Sequence, residues 1–162
     1  MVIHVDAPAA EPARADLANR GDVEAQLRRF YGQVLVDDIL AEPFAEIRMN
    51  GPESHLPVMC DFWQTVLFRA GLYGRSAVRA HHPVHNRRAL TARHFLRWLK
   101  LWNSAIDQMY HGPVAEHAKI QATRIARAMH RRLTGNDSEE LDILVRVNLT
   151  DDPVSAASVR PT

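Results

Sequence analysis

Residues 91–134 read TARHFLRWLKLWNSAIDQMYHGPVAEHAKIQATRIARAMHRRLT, and this stretch decides the fold class. Thr91 is placed to cap a helix whose apolar stripe is Phe95, Trp98, Leu99, Trp102, Ile106 and Met109, returning every three or four residues. Gly112-Pro113 stops that helix and starts another, since glycine ends helices and proline is tolerated in a first turn. The second helix runs to about Leu133 through Val114, Ala118, Ala122, Ile125 and Met129. So short a turn makes the two helices antiparallel neighbours, and the expected class is all-α. Arg124, Arg127, Arg131 and Arg132 fall on the outer side of the second helix. They read as a solvated face, with docking of an acidic partner as the alternative.

Working back towards the N-terminus, the period stays helical. Asp22 is expected to cap a helix carrying Val23, Leu27, Phe30, Tyr31, Val34 and Leu35, a region that Pro43 ends. After a turn at Gly51-Pro52, Ser54 is expected to cap a second helix beginning near His55. Pro57 fits there because a first-turn residue has no intrahelical N–H bond to lose. Leu56, Met59, Phe62, Trp63, Val66 and Leu67 give that helix a wide apolar face, and Gly71 is expected to close it. The segment 74–88 is the least regular and the richest in histidine.

The flanks differ from this core. Residues 1–20 are rich in alanine, with Pro8 and Pro12, and read as a flexible N-terminal arm. Beyond Gly135, Leu141, Ile143, Val145 and Val147 alternate with Asp142, Leu144, Arg146 and Asn148, which permits a strand or a helix. The last ten residues read as disordered. The expected organisation is an arm over 1–20, one domain over 21–133 and a partly disordered C-terminal extension over 134–162.

Composition narrows the function. The 162 residues suit one domain with tails, and 46% apolar against 24% charged is ordinary for a globular protein. Twenty basic and nineteen acidic residues leave +1, so no overall field draws the chain to nucleic acid or an anionic membrane. A single cysteine, Cys60, excludes an intramolecular disulfide framework and a four-thiolate zinc site. No run of about 18 apolar residues exists to cross a bilayer. The opening MVIHVDAPAAEPARAD has no basic n-region followed by an apolar core, and a cytoplasmic protein is expected.

The chemistry gathers around His81-His82-Pro83-Val84-His85. A zinc reading pairs His81 with His85 at i, i+4, but Pro83 opposes a regular helix and no glutamate completes a hydrolase pattern. Solvated loop histidines are the bland reading. A third reading notes that this segment lies between helices carrying Phe62, Trp63, Trp98 and Trp102. Such helices can form a flat aromatic slot, and one neutral imidazole beside it can ligate the metal of a planar cofactor such as haem. The aromatic stripes taken alone read more readily as plain core.

Four stretches carry a resemblance: FYGQVLVDDILAEPF at 30–44, HLPVMCDFWQTVLF at 55–68, YGRSAVRAHHPVH at 73–85 and HFLRWLKLW at 94–102. As a set they resemble the truncated haemoglobins, most of all group III (class P), which lacks the glycine-glycine hinges of the other groups; none of the seven glycines here is adjacent to another. The resemblance implies a truncated globin fold, a 2-over-2 helical sandwich around haem b. It implies His81 as the proximal iron ligand, with His82 as the alternative, since both the Tyr73-to-His81 distance and His81-x-Pro-Val resemble family spacing. Tyr31, His55, Met59 and Trp98 would form the distal pocket, and Phe44, Phe62, Trp63 and Phe95 would pack on the haem.

The implied partners are oxygen, nitric oxide and other small haem ligands. Iron on a neutral imidazole leaves one site for such a ligand, and donors aimed at bound oxygen slow its release. That favours redox chemistry on oxygen, nitric oxide or peroxide, or sensing, over oxygen transport. Turnover like that of a nitric oxide dioxygenase or a peroxidase would need a separate reductase, because the chain has no flavin or nicotinamide fingerprint. The competing classes are a cofactor-free helical interaction module and a small zinc-binding protein using His81 and His85.

Overall fold

A computed structural model describes residues 13–69, 71, 81, 84, 85 and 89–148. Those residues hold six α-helices: α1 (Arg20–Val34), α2 (Ala45–Asn50), α3 (Leu56–Phe68), α4 (Ala92–Met109), α5 (Pro113–Thr134) and α6 (Glu139–Asn148), with a 3-10 turn at Pro52–Ser54 before α3. No strand occurs among them. His81, Val84 and His85 are also helical, despite Pro83 between them.

Two antiparallel pairs build the body. In α1 and α3, Arg20 bonds Asp61 at 2.7 Å while Arg28, two turns on, reaches back to Glu53 at 2.6 Å. In α4 and α5, Trp102 donates its indole N–H to the Ala118 carbonyl and the Phe95 ring meets the His130 ring edge-on. The first pair lies on the second through a core of Leu27, Phe30, Trp63, Leu99, Trp102 and Ile106, all buried. The expected pair of long C-terminal helices is therefore present, with Thr91 at the start of the first and Gly112-Pro113 between them.

Several ends differ from expectation. Helix α1 is capped by Asn19, whose side chain accepts the Asp22 N–H; Asp22 sits inside the first turn and its carboxylate accepts the Ala18 N–H at 2.8 Å. Each satisfies a donor the other would leave bare. Ser54 does not cap α3 but completes the 3-10 turn, and α3 starts at Leu56 with Pro57 in its first turn. Arg69, with φ 55°, closes α3, not Gly71. Helix α2 has no buried residue, so it left no apolar period to read.

The stretch expected to be a loose arm is fixed over its last residues. Leu17 is buried, and the Asp16 carboxylate accepts the N–H groups of Val114 and Ala115 at 2.9 and 2.8 Å. Asp16 thus caps α5 from a hundred residues away in sequence. Gly112 has to be glycine for this: its φ is 146°, and a Cβ would lie 2.5 Å from the Asp16 Cγ. Residues 1–12 and 149–162 lie outside the described residues. The ambiguous segment is the helix α6, whose Leu141 and Val145 are buried one turn apart. Arg127 bonds Asp142 of α6 at 2.6 Å and Arg131 bonds Asp137 just before it, so two of the four outer arginines hold the C-terminal helix in place.

Candidate functional site

A cavity of about 530 Å³ opens between the two pairs, within the roughly 300–1,000 Å³ of small-molecule sites. Its apolar wall comes from α1 (Leu27, Phe30), the 35–44 turn (Leu40, Pro43, Phe44), α3 (Val58, Met59, Phe62, Trp63), α4 (Phe95, Trp98) and α5 (Ile125, Ala126, Met129). Polar groups enter from fewer places. Glu46, Asn50, Ser54 and His55 sit together along one stretch, with Tyr31, His81 and His94 elsewhere on the wall.

Tyr31 follows Phe30 on the inward face of α1 and is almost fully buried. Its ring meets the His55 ring at 5.6 Å and the Phe44 ring at 6.3 Å, both near perpendicular. Burial, and secondarily the Cys60 thiol nearby, pushes its hydroxyl well above the ordinary tyrosine range. No described residue hydrogen-bonds that hydroxyl, nor the indole N–H of Trp98. The cavity wall therefore carries two donors that the protein itself leaves unengaged, both opening on the cavity and available to what it holds.

His55 lies between the 3-10 turn and α3, where Pro57 limits the first turn behind it. Burial lowers its basicity below the usual imidazole value, and charge repulsion from His81 lowers it further. Both residues line the cavity, as does Val84. His85 does not line it; its Nδ1 accepts the Leu90 N–H at 3.0 Å and helps shape the approach to α4. His82 lies outside the described residues. Among the described residues no three histidine, cysteine or carboxylate side chains gather as a site for a metal ion.

Tyr31, Phe44, His55, Met59, Phe62, Trp63, His81, Phe95 and Trp98, nine residues separated by up to 67 positions, thus line one cavity. His94 was missed. Its Nδ1 accepts the Thr91 N–H at 3.0 Å, so the residue both finishes the cap of α4 and reaches the wall one turn before Trp98. The i, i+1, i+4 grouping of His94, Phe95 and Trp98 was the available signal. Glu46 and Asn50 gave none, because α2 is six residues long and only Ile47 of it packs against the core, too little for a period to show.

No family model matches the chain, and no curated protein sequence does. A solved structure does: the crystal structure of a group III truncated hemoglobin from Campylobacter jejuni superposes with a TM-score of 0.66 at 20% identity. The superposition covers 74% of this chain and 94% of that one. The fold is that of a truncated haemoglobin. The truncated-globin fold accounts for the two antiparallel helix pairs and for a cavity between them. No helix among the described residues is long and apolar enough to cross a membrane.

Proposed function

We propose that this chain is a haem protein, binding oxygen, nitric oxide and other diatomic ligands in the cavity between the helix pairs. The observation that carries the reading is the convergence of His55 and His81 on one apolar cavity whose wall also holds the unengaged donors of Tyr31 and Trp98. Haem b requires such a set: a large apolar slot, an imidazole for the iron, and few, well-placed polar groups. His81 would hold the iron, His82 being the neighbouring alternative. Phe44, Phe62, Trp63 and Phe95 would pack on the macrocycle. When bound, the haem would supply a reducible iron with one position open to a small ligand.

The chain's own residues would then do three things. Met59, Phe62 and Trp63 keep the distal side dry. Tyr31 and Trp98 offer an O–H and an N–H to partial negative charge on a bound ligand, and a dry surrounding strengthens both bonds. His55, neutral at neutral pH, stands at the cavity edge without serving as a permanent iron ligand. Two such donors slow ligand release, which suits redox chemistry on oxygen, nitric oxide or peroxide, or sensing, more than delivery. Electrons would come from a separate reductase, and the setting would be the cytoplasm.

An absorption spectrum of the purified chain after haem addition tests this, together with the variant His81→Ala. A Soret band with a five-coordinate histidine spectrum in the ferrous ligand-free form is expected, and His81→Ala should lose stable haem or change the axial signature. Absence of a Soret band would favour a cofactor-free interaction module. A normal spectrum in His81→Ala with haem loss in His82→Ala would move the ligand by one residue.

A further inference from the structure

The chain contains three tryptophans, and all three are in one stack. Trp102 lies face to face with Trp63, centroids 4.3 Å apart at 18°, and parallel to Trp98 at 5.9 Å and 4°. Phe30 closes the group edge-on, 5.2 Å from Trp102 and 5.7 Å from Trp98. Trp63 and Trp98 line the cavity, whereas Trp102 stands behind them, 1% exposed.

The second observation concerns polarity around Trp102. Among the described residues, two buried side-chain atoms lack a hydrogen-bond partner, and one of them belongs to Gln26, whose amide is bonded to Trp102. Gln26 donates its Nε2–H to the Trp102 carbonyl at 3.4 Å, leaving its Oε1 unpaired; the other unpaired oxygen, on Asn103, belongs to a separate surface pocket with Arg29 and Lys100. An unpaired acceptor oxygen in a low-dielectric core lowers the cost of positive charge nearby, and the Gln26 amide is held against Trp102 by its bond to that residue's carbonyl. Buried polar groups left unsatisfied call for an explanation of this kind.

We propose that the tryptophan stack is an internal one-electron donor to the cavity, with Trp102 as the place where the resulting positive charge rests. The proposal builds on the haem reading above. The oxidant is a hydroperoxide: its O–O bond breaks as it takes two electrons and two protons to give an alcohol and water. A bound haem would supply one of the two electrons, and the stack the other. Two equivalents of a one-electron reductant of the ascorbate class restore both and supply the protons. An indole can lose an electron and keep its N–H, and the Trp102 N–H is held on the Ala118 carbonyl, which cannot take the proton. Oxidation of Tyr31 would instead require its phenolic proton to leave, and no described residue accepts it.

Electron paramagnetic resonance of the haem-loaded full chain, frozen after mixing with hydrogen peroxide, tests the assignment. An organic radical is expected whose lines narrow in protein made with ring-deuterated tryptophan and not with ring-deuterated tyrosine. Trp102→Phe should lose the tryptophan-derived signal while retaining the Soret band, since Trp102 does not line the cavity. Should Trp102→Phe fail to fold, Gln26→Leu leaves all three indoles in place and should shorten the radical's lifetime. Narrowing with deuterated tyrosine alone, or a tryptophan signal unchanged in the folded variants, overturns the proposal. If the chain takes up no haem, the function reading fails by itself. The relay is then decided by flash oxidation of the apoprotein with photo-generated ruthenium(III) polypyridyl, where a tryptophan radical equally short-lived in wild type and Gln26→Leu overturns it.

Discussion

Tyr31 carries the sharpest expectation at the level of a single residue. The residue is buried, and its hydroxyl, which has no described hydrogen-bond partner, lies in the cavity wall. Tyr31→Phe keeps the ring against His55 and Phe44 and removes only the donor. Oxygen release from the haem-loaded protein should then speed up by roughly tenfold, corresponding to about 1.4 kcal/mol for one bond in a dry site. Trp98→Phe should act in the same direction, and the double variant should fall short of the product, because both donors serve one ligand. Stopped-flow displacement of oxygen measures all three, and an unchanged rate in Tyr31→Phe would make the tyrosine a packing residue. Tyr31 and Trp98 were legible because each sits on an apolar helical stripe within a recognisable stretch. His94 was not, since a histidine at a helix start reads first as a cap, which it also is.

Helices and the joints between them give two further expectations. Asp16 caps α5 only while Gly112 keeps a conformation closed to other residues. Gly112→Ala should destabilise the protein by about 1–3 kcal/mol, and Asp16→Ala by about 0.5–2 kcal/mol. Their combination, followed by urea denaturation, should cost less than the sum, since the first change already displaces the carboxylate. The second joint is Asp37, which receives two bonds from Arg97 of α4 at 2.6 and 2.8 Å and also caps the turn through the N–H groups of Ile39 and Leu40. Arg97 chiefly, with those N–H groups, holds the Asp37 carboxyl below its ordinary range against the opposing effect of burial. A depressed carboxyl stabilises the fold above the unfolded-state value of about 3.9 and loses that contribution as the pH falls below it. Asp37→Asn should therefore be less stable than wild type at pH 7, with the gap closing under acid, as thermal melts across that range would show. Neither joint was readable beforehand: both link residues sixty or more positions apart, and no local period encodes such a bond.

Across the whole molecule, what the sequence conveyed divides by how each part is held. Helices α1, α3, α4 and α5 bury a periodic face, and that periodicity is why their existence and pairing could be read. Helix α6 carries Leu141 and Val145 in a pattern that suits strand and helix alike, and only its contact with α5 settles the matter. Helix α2 and the 3-10 turn have no fully buried residue, Ile47 alone packing partly against the core, so their form depends on the neighbours they bridge. The cavity inherits this difference. One side of it rests on helices of 18 and 22 residues, while Glu46, Asn50 and Ser54 reach it from a six-residue helix and a single turn. Opening free energies within one protein range from near zero to the full stability of about 5–15 kcal/mol. Amide protons of Ala45–Asn50 should accordingly exchange with deuterated water long before those of Leu99–Ile106, as exchange mass spectrometry would resolve. A small molecule would then enter and leave through transient fraying of that edge, at a rate set by the weakest segment of the wall while the paired helices stay closed.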